Sequence, residues 1–151
     1  MKFEWSQKQS LRLTLAVTGL FFIGIIVTML KMKYFVDLLL PLNGISQYNI
    51  SYFYVTLYVA LTVMLGILIL LACLVRNIQK DIVFDPMNIR YLRLISWSCI
   101  LVALILLLSA FYHFQWIILA VAATFMALIV RVVKNVFCQA LLIKEENEFT
   151  I

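Results

Sequence analysis

Charged residues are scarce in this chain of 151 residues, of which they make up only 13%. Hydrophobic residues make up 66%, and the mean hydropathy is +1.08. A soluble globular domain has roughly a quarter of its residues charged and about half of them apolar. The composition therefore excludes an ordinary soluble protein and predicts an integral membrane protein, with one membrane domain over residues 1–151.

Residue types that hold metals and cofactors are also few. His113 is the only histidine, and the cysteines Cys73, Cys99 and Cys138 form no Cys-x-x-Cys pair. Metal sites built on histidine, thiol redox sites and Gly-rich phosphate loops all need residue sets that this chain lacks. We therefore expect no enzymatic activity, no cofactor and no metal site.

The interiors of the long apolar runs lack ionisable residues, which usually mark ion or substrate paths in membrane proteins. A proton-coupled small multidrug exporter, which also has four helices and a similar length, would need a carboxylate in the first run, and residues 11–30 contain none. Hydroxyl side chains are present and are expected to bond within or between helices. A small transporter or pore component is an alternative function, and it requires these hydroxyls to converge on a cavity. They belong to Thr18, Thr28, Thr56, Thr62, Ser96, Ser98, Ser109 and Thr124.

The apolar runs predict an all-α fold, an integral membrane four-helix bundle. A helix of about 20 residues crosses the hydrocarbon core of roughly 30 Å. The run from Leu94 to Val130 is too long for one crossing, and it is expected to fold back at Tyr112–Trp116. The predicted transmembrane helices span about 11–30, 53–75, 92–112 and 114–133.

Small residues on two of these helices permit close approach of a neighbouring helix. Gly19 and Gly24 lie on the first, and Ala120, Ala123, Thr124 and Ala127 lie on the fourth. We expect them to pack inside one bundle.

The segment 31–52 is predicted to lie outside the cell. Its first part is too short and too charged to span, which favours a helix in the headgroup region. A turn signal follows at Pro41–Gly44. A second alternative function, an immunity or envelope-stress protein, would act through this outer segment.

The distribution of basic residues predicts the orientation. Of the twelve Lys and Arg residues, only Lys31 and Lys33 fall on the outer side of this topology. Because basic residues favour the cytoplasmic side, both termini, the loop 76–93 and the tail 134–151 are expected there. The chain is thus predicted to be a multi-pass protein of the cell membrane, with the lipid bilayer as a partner. The net charge of +5 flanks the spans, so direct nucleic-acid binding is not expected.

The middle loop contains the signature of a helix start. Asp85 is a predicted N-cap, and Pro86 suits the first helical position, where no N–H is needed. Phe84 and Ile89 occupy the positions of a hydrophobic staple. The third helix is therefore expected to begin about two turns before its apolar run.

Two interpretations of the loop remain open. It is either a well-capped helix start with basic anchors or, together with the end of the fourth helix, a docking surface for a soluble partner. In the second case the acidic tail could add to that partner as an extended peptide. The possible cytoplasmic docking surface comprises Arg76, Lys80, Phe84, Asp85, Asn88, Arg90, Arg93, Glu148, Phe149 and Ile151.

Three short patterns resemble a family of small bacterial membrane proteins of unknown function with four predicted helices. They are Phe84-x-x-x-Asn88, Leu92-Arg93 and the acidic ending over 145–151. The chain departs from the family at 81–83, where the family often has Gly, and at 148–151, where Glu-Phe-Thr-Ile replaces Asp-Leu-Thr-Ile.

The resemblance implies a partner. Genes of this family often adjoin one for a Cro/C1-type helix-turn-helix regulator. The first functional hypothesis is accordingly a non-enzymatic regulatory or interaction membrane protein that binds such a transcriptional regulator.

Overall fold

The computed structural model describes residues 7–43, 50–80 and 82–148. Within those residues the chain is all-α, as predicted, and contains no strand. The helices are α1 (Gln7–Leu30), α2 (Met32–Asn43), α3 (Ile50–Gln79), α4 (Pro86–Ser109) and α5 (Trp116–Glu148).

Four of these helices, α1, α3, α4 and α5, are long and apolar enough to cross a membrane. α3 has 30 residues and is about 45 Å long, so it exceeds the roughly 30 Å of a hydrocarbon core. It extends beyond the predicted span 53–75 at both ends. α5 has 33 residues and runs past Arg131 and Lys134, as the sequence pattern predicted.

The short helix predicted after Lys31 is present as α2. It continues through Pro41 to Asn43, so the helix extends into the stretch where a turn was expected. Its side chains Met32 and Val36 are fully buried against the neighbouring helices. This burial of one apolar face explains why so short a segment is ordered, because amphipathic packing stabilises helices more than propensity does.

α4 is the central helix. It packs most extensively on α5 and next on α3, and α3 in turn packs on α1. A larger share of α4 is buried than of the other three long helices. Between α4 and α5, Ala120 and Ala127 are buried, as their small size predicted, whereas a Cβ added to Gly19 or Gly24 would meet open space.

The helices have two ends that we name for their connections. The loop end is where α3 joins α4 through residues 80–85, and the hairpin end is where α4 joins α5 through residues 110–115. The second connection confirms the predicted turn at Tyr112–Trp116. A buried cluster at the hairpin end contains Phe53 and Trp116, with ring centroids 5.2 Å apart.

Candidate functional site

The loop end contains an ordered helix start. Asp85 is the N-cap of α4, with extended backbone angles, and its carboxylate accepts a hydrogen bond of 2.6 Å from the Met87 N–H. Pro86 occupies the first turn. Both features confirm the predicted cap. The carboxylate accepts from an N–H group that has no partner within the helix, and proline has no N–H at a position where none is needed.

The buried side chain of Asn88 hydrogen-bonds to the connection between α3 and α4. Its Nδ2 donates to the backbone carbonyls of Ile82, at 2.7 Å, and Val83, at 2.9 Å. Its Oδ1 accepts a 2.9 Å hydrogen bond from Nδ2 of Asn77 on α3. Buried amides need such partners, since each unpaired buried polar group costs about 1–3 kcal/mol. We call these two asparagines the Asn clamp.

Asn88 therefore differs from its expected role as a docking residue. Its side chain is 0% exposed, so it cannot touch a partner directly. It acts instead by holding residues 82 and 83 against the end of α3. The physical reason is that an amide with two donors and an acceptor can satisfy a turn whose carbonyls lack helical partners.

The other predicted residues on the loop and on α4 lie at the surface. Arg76, Lys80, Arg90 and Arg93 are exposed, and Asp85 is half-buried. Phe84 is 44% exposed, and its ring lies near that of Phe137 of α5, with centroids 6.2 Å apart. Phe84 thus packs on another helix, and its contact with the staple residue Ile89 stays a prediction.

The C-terminal part of the predicted surface is helical as far as Glu148. In the docking interpretation the tail adds to a partner as an extended peptide, whereas in the structure α5 continues through its Leu, Lys and Glu residues, which favour helix. Phe149 and Ile151 lie outside the described residues.

A basic pocket of about 310 Å³ lies between α4 and α5 near the loop end. Arg93, Arg131 and Lys134 line it, together with Ser96, Trp97 and Asn135. The Arg131 guanidinium lies over the Trp97 ring, 5.6 Å from its centroid, in a cation–π contact. No acidic side chain belongs to the described lining, so the pocket suits an anion.

The predicted surface joined Arg93 with the end of the fourth helix from Lys134 onward, but it did not include Arg131 and Trp97 as neighbours of Arg93. Two signals could have found them. Arg93 lies 19 residues before the predicted turn at Tyr112–Trp116 and Arg131 lies 15 residues after it, which places them at similar levels of antiparallel helices. Arg93 and Trp97 are four residues apart, and Arg131 and Lys134 three, so each pair shares a helix face.

The hydroxyl groups do not converge on one cavity in the described part of the chain. Those of Thr14, Thr18, Thr28, Thr62 and Thr124 each donate to the carbonyl four residues earlier. The hydroxyl of Ser96 crosses to the Ala127 carbonyl at 3.0 Å.

One relay of hydroxyls joins two helices at the hairpin end. The Ser109 hydroxyl donates its only proton to the Ile105 carbonyl. The Thr56 hydroxyl, 2.7 Å away, must then donate to Ser109, and Tyr112 donates to Thr56 at 2.7 Å. The relay ties α3 to the end of α4 and runs in one direction. It is a structural link between helices.

Metal-binding side chains do not cluster. Across residues 7–43, 50–80 and 82–148, no group of three or more His, Cys, Asp or Glu side chains could hold one ion. The three cysteines are half-buried and free.

Comparison with known proteins supplies the family. Residues 38–151 match the family described as "Protein of unknown function (DUF2975)". The match begins within α2 and covers α3, α4 and α5, including the Asn clamp and the basic pocket. Neither the curated proteins nor the solved structures contain a significant match to the chain. The chain belongs to the DUF2975 family, whose function is unknown.

Proposed function

We propose that this chain is a multi-pass protein of the cell membrane that binds a soluble partner at its loop end and catalyses no reaction. Its four long helices would cross the bilayer as a bundle, with the loop end and both termini in the cytoplasm. The four apolar helices support the crossing, and the excess of basic residues on one side supports the orientation.

The observation that carries the proposal is the exposed apolar surface on an ordered turn. Ile82, Phe84 and Met87 are each close to half exposed, at 45%, 44% and 46%. They precede the long apolar run of α4, in a segment that the Asp85 cap and the Asn clamp hold in place. Exposed apolar groups rimmed by charge mark interaction sites.

The exposed charged residues described on either side of this apolar patch in sequence are basic, and we call them its rim. They are Arg76, Lys80 and Arg90. Charge complementarity steers encounter and fixes orientation, so the rim favours a partner with an acidic face. A preformed patch also binds more tightly than a flexible loop, because less conformational entropy is lost on binding.

The family resemblance adds a class of partner. We propose a Cro/C1-type helix-turn-helix regulator encoded beside this gene in a bacterium. A regulator held on the patch would stay at the membrane and away from its DNA. The chain would then act by sequestering the regulator or by releasing it on a signal.

Neither alternative function is favoured by a specific observation. A transporter needs a polar path, and most hydroxyls described above bond back to their own helices. An immunity or envelope-stress role would use the outer segment, of which residues 44–49 lie outside the described part.

The test is membrane recruitment of the regulator. The chain and the regulator encoded beside it are co-expressed, and the share of regulator in the membrane fraction is measured. We expect the wild-type chain to move the regulator into that fraction and Phe84→Ala to reduce this. Phe114→Ala is the matched control, since Phe114 is a more exposed phenylalanine, at 77%, at the opposite end.

A regulator that stays soluble beside the wild-type chain would overturn the proposed partner. Equal loss of recruitment in Phe84→Ala and Phe114→Ala would overturn the proposed surface.

A further inference from the structure

The spacing of its lining residues places an apolar groove on the same face of α4 and α5 as the basic pocket. The groove has a volume of about 480 Å³ and is lined by Ile100, Leu104 and Leu107 from α4, and by Val121, Phe125 and Leu128 from α5, among others. On α4, positions 93, 97, 100, 104 and 107 recur every three or four residues, the spacing of a single helix face. On α5, positions 121, 125, 128, 131 and 135 do the same.

This face is charged at one end and apolar along the rest, as a phospholipid has a charged headgroup and apolar chains. At one end three cations meet: Arg93, Arg131 and Lys134. From Arg93, the groove starts at Ile100, about 10 Å along the helix, and reaches Leu107 at about 21 Å. One leaflet of the hydrocarbon core is about 15 Å deep, so the groove lies where acyl chains lie.

We infer that this face binds an anionic phospholipid, with its phosphate in the basic pocket and an acyl chain in the groove. The inference rests on the proposed membrane insertion and is independent of the docking of a partner. Arginine donates in a planar fork that suits phosphate oxygens, and Lys134 adds a third positive charge. Trp97 holds Arg131 by the cation–π contact and sits at the depth where indoles favour the interface.

Charge favours a lipid over a second copy of the chain as the occupant. A symmetric dimer through this face would bring two identical patches together. Arg93, Arg131 and Lys134 of one copy would then approach the same cations of the other, and like charges repel. An anionic headgroup offsets part of the positive charge of the three cations, which otherwise repel one another within one pocket.

The experiment uses the full chain purified in detergent without any partner. Equal amounts of phosphatidylglycerol and phosphatidylcholine with identical chains are added, and the retained lipids are counted by native mass spectrometry. We expect preferential retention of phosphatidylglycerol. The double substitution Arg93→Gln and Arg131→Gln should lower that preference roughly tenfold or more, from the usual contribution of each basic residue to binding anionic lipid.

Arg90→Gln is the matched control, because Arg90 is an exposed arginine one turn earlier on α4 that does not line the pocket. Its lipid preference should equal that of the wild type. Leu128→Trp tests the groove, since Leu128 is an exposed lining residue and a bulkier side chain would obstruct the acyl chain. It should reduce retention of phosphatidylglycerol although all three cations remain.

Several outcomes would overturn the inference. They are equal retention of the two lipids by the wild type, equal loss in Arg90→Gln, and full displacement of phosphatidylglycerol by inorganic phosphate, which would indicate a site for a free anion. A disulfide between two copies through Leu104→Cys, in a chain whose native cysteines are replaced by alanine, would place a second copy there. Recovery of the chain in the soluble fraction would instead refute the proposed membrane insertion.

Discussion

The Nδ2 of Asn77 on α3 donates a 2.9 Å hydrogen bond to the Oδ1 of Asn88 on α4. The two residues are eleven positions apart and lie on either side of the connection between the helices. Asn88 also binds the carbonyls of Ile82 and Val83, so one buried side chain joins α3, the turn and α4. These hydrogen bonds hold in place the turn that carries the apolar patch.

Removing the Asn88 amide should destabilise the loop end. Asn88→Ala leaves the carbonyls of Ile82 and Val83 without their side-chain donor, and we expect a loss of about 1–3 kcal/mol in the free energy of unfolding. The apparent thermal midpoint in detergent measures it. Asn135→Ala is the matched control, because Asn135 is exposed on α5. Equal midpoints for the two variants would contradict the clamp.

The cap of α4 gives a second prediction. Asp85→Ala removes the acceptor for the Met87 N–H and should lower stability by about 1 kcal/mol. Asp85→Asn keeps a side-chain oxygen that can accept the same hydrogen bond, and should behave nearly as the wild type. Amide hydrogen exchange of Met87 reports the change locally. Slow exchange in Asp85→Ala would show that the cap does not protect this N–H.

The cap was predictable from the sequence and the clamp was not. Asp85 and Pro86 act on the N–H groups next to them, so their effect can be predicted from adjacent residues. Asn88 binds two carbonyls that precede it and an amide on another helix. Those partners become neighbours only when the turn has folded, and a polar residue in a charged loop was therefore expected at the surface.

The hydroxyl relay at the hairpin end gives a third prediction. Thr56→Val removes the group that accepts from Tyr112 and donates to Ser109 while keeping the shape of the side chain. Hydrogen bonds between helices in a membrane contribute about 0.6 kcal/mol on average and up to about 2. We expect a loss in that range, read from the same thermal midpoint.

The control for the relay is Thr62→Val on the same helix. Thr62 donates only to the Tyr58 carbonyl within α3, so its removal should cost less. A larger loss for Thr62→Val than for Thr56→Val would contradict the relay as a link between helices.

The residues of the basic pocket could not be predicted from composition, because they come together only when α4 and α5 pack. The apolar runs and their lengths predicted the long helices, and the polar interruption at Tyr112–Trp116 predicted the hairpin between α4 and α5. Arg93 was assigned to the surface through its own segment alone. Its position beside Arg131 and Trp97 depends on the register of the two helices, which is set by the burial of small residues such as Ala120 and Ala127.

The central claim, a membrane protein whose ordered turn faces the cytoplasm, is tested most directly by labelling single cysteines from one side. Lys80→Cys at the loop end and Phe114→Cys at the hairpin end are each made in a chain whose three native cysteines are replaced by alanine. Both positions are exposed. Cells in which only the outer envelope is permeable are treated with a membrane-impermeant maleimide. Labelling of these unlysed, intact cells is compared with labelling after lysis.

The account predicts that Phe114→Cys is labelled in intact cells and that Lys80→Cys is labelled only after lysis. Labelling of Lys80→Cys in intact cells, with Phe114→Cys protected until lysis, would contradict it.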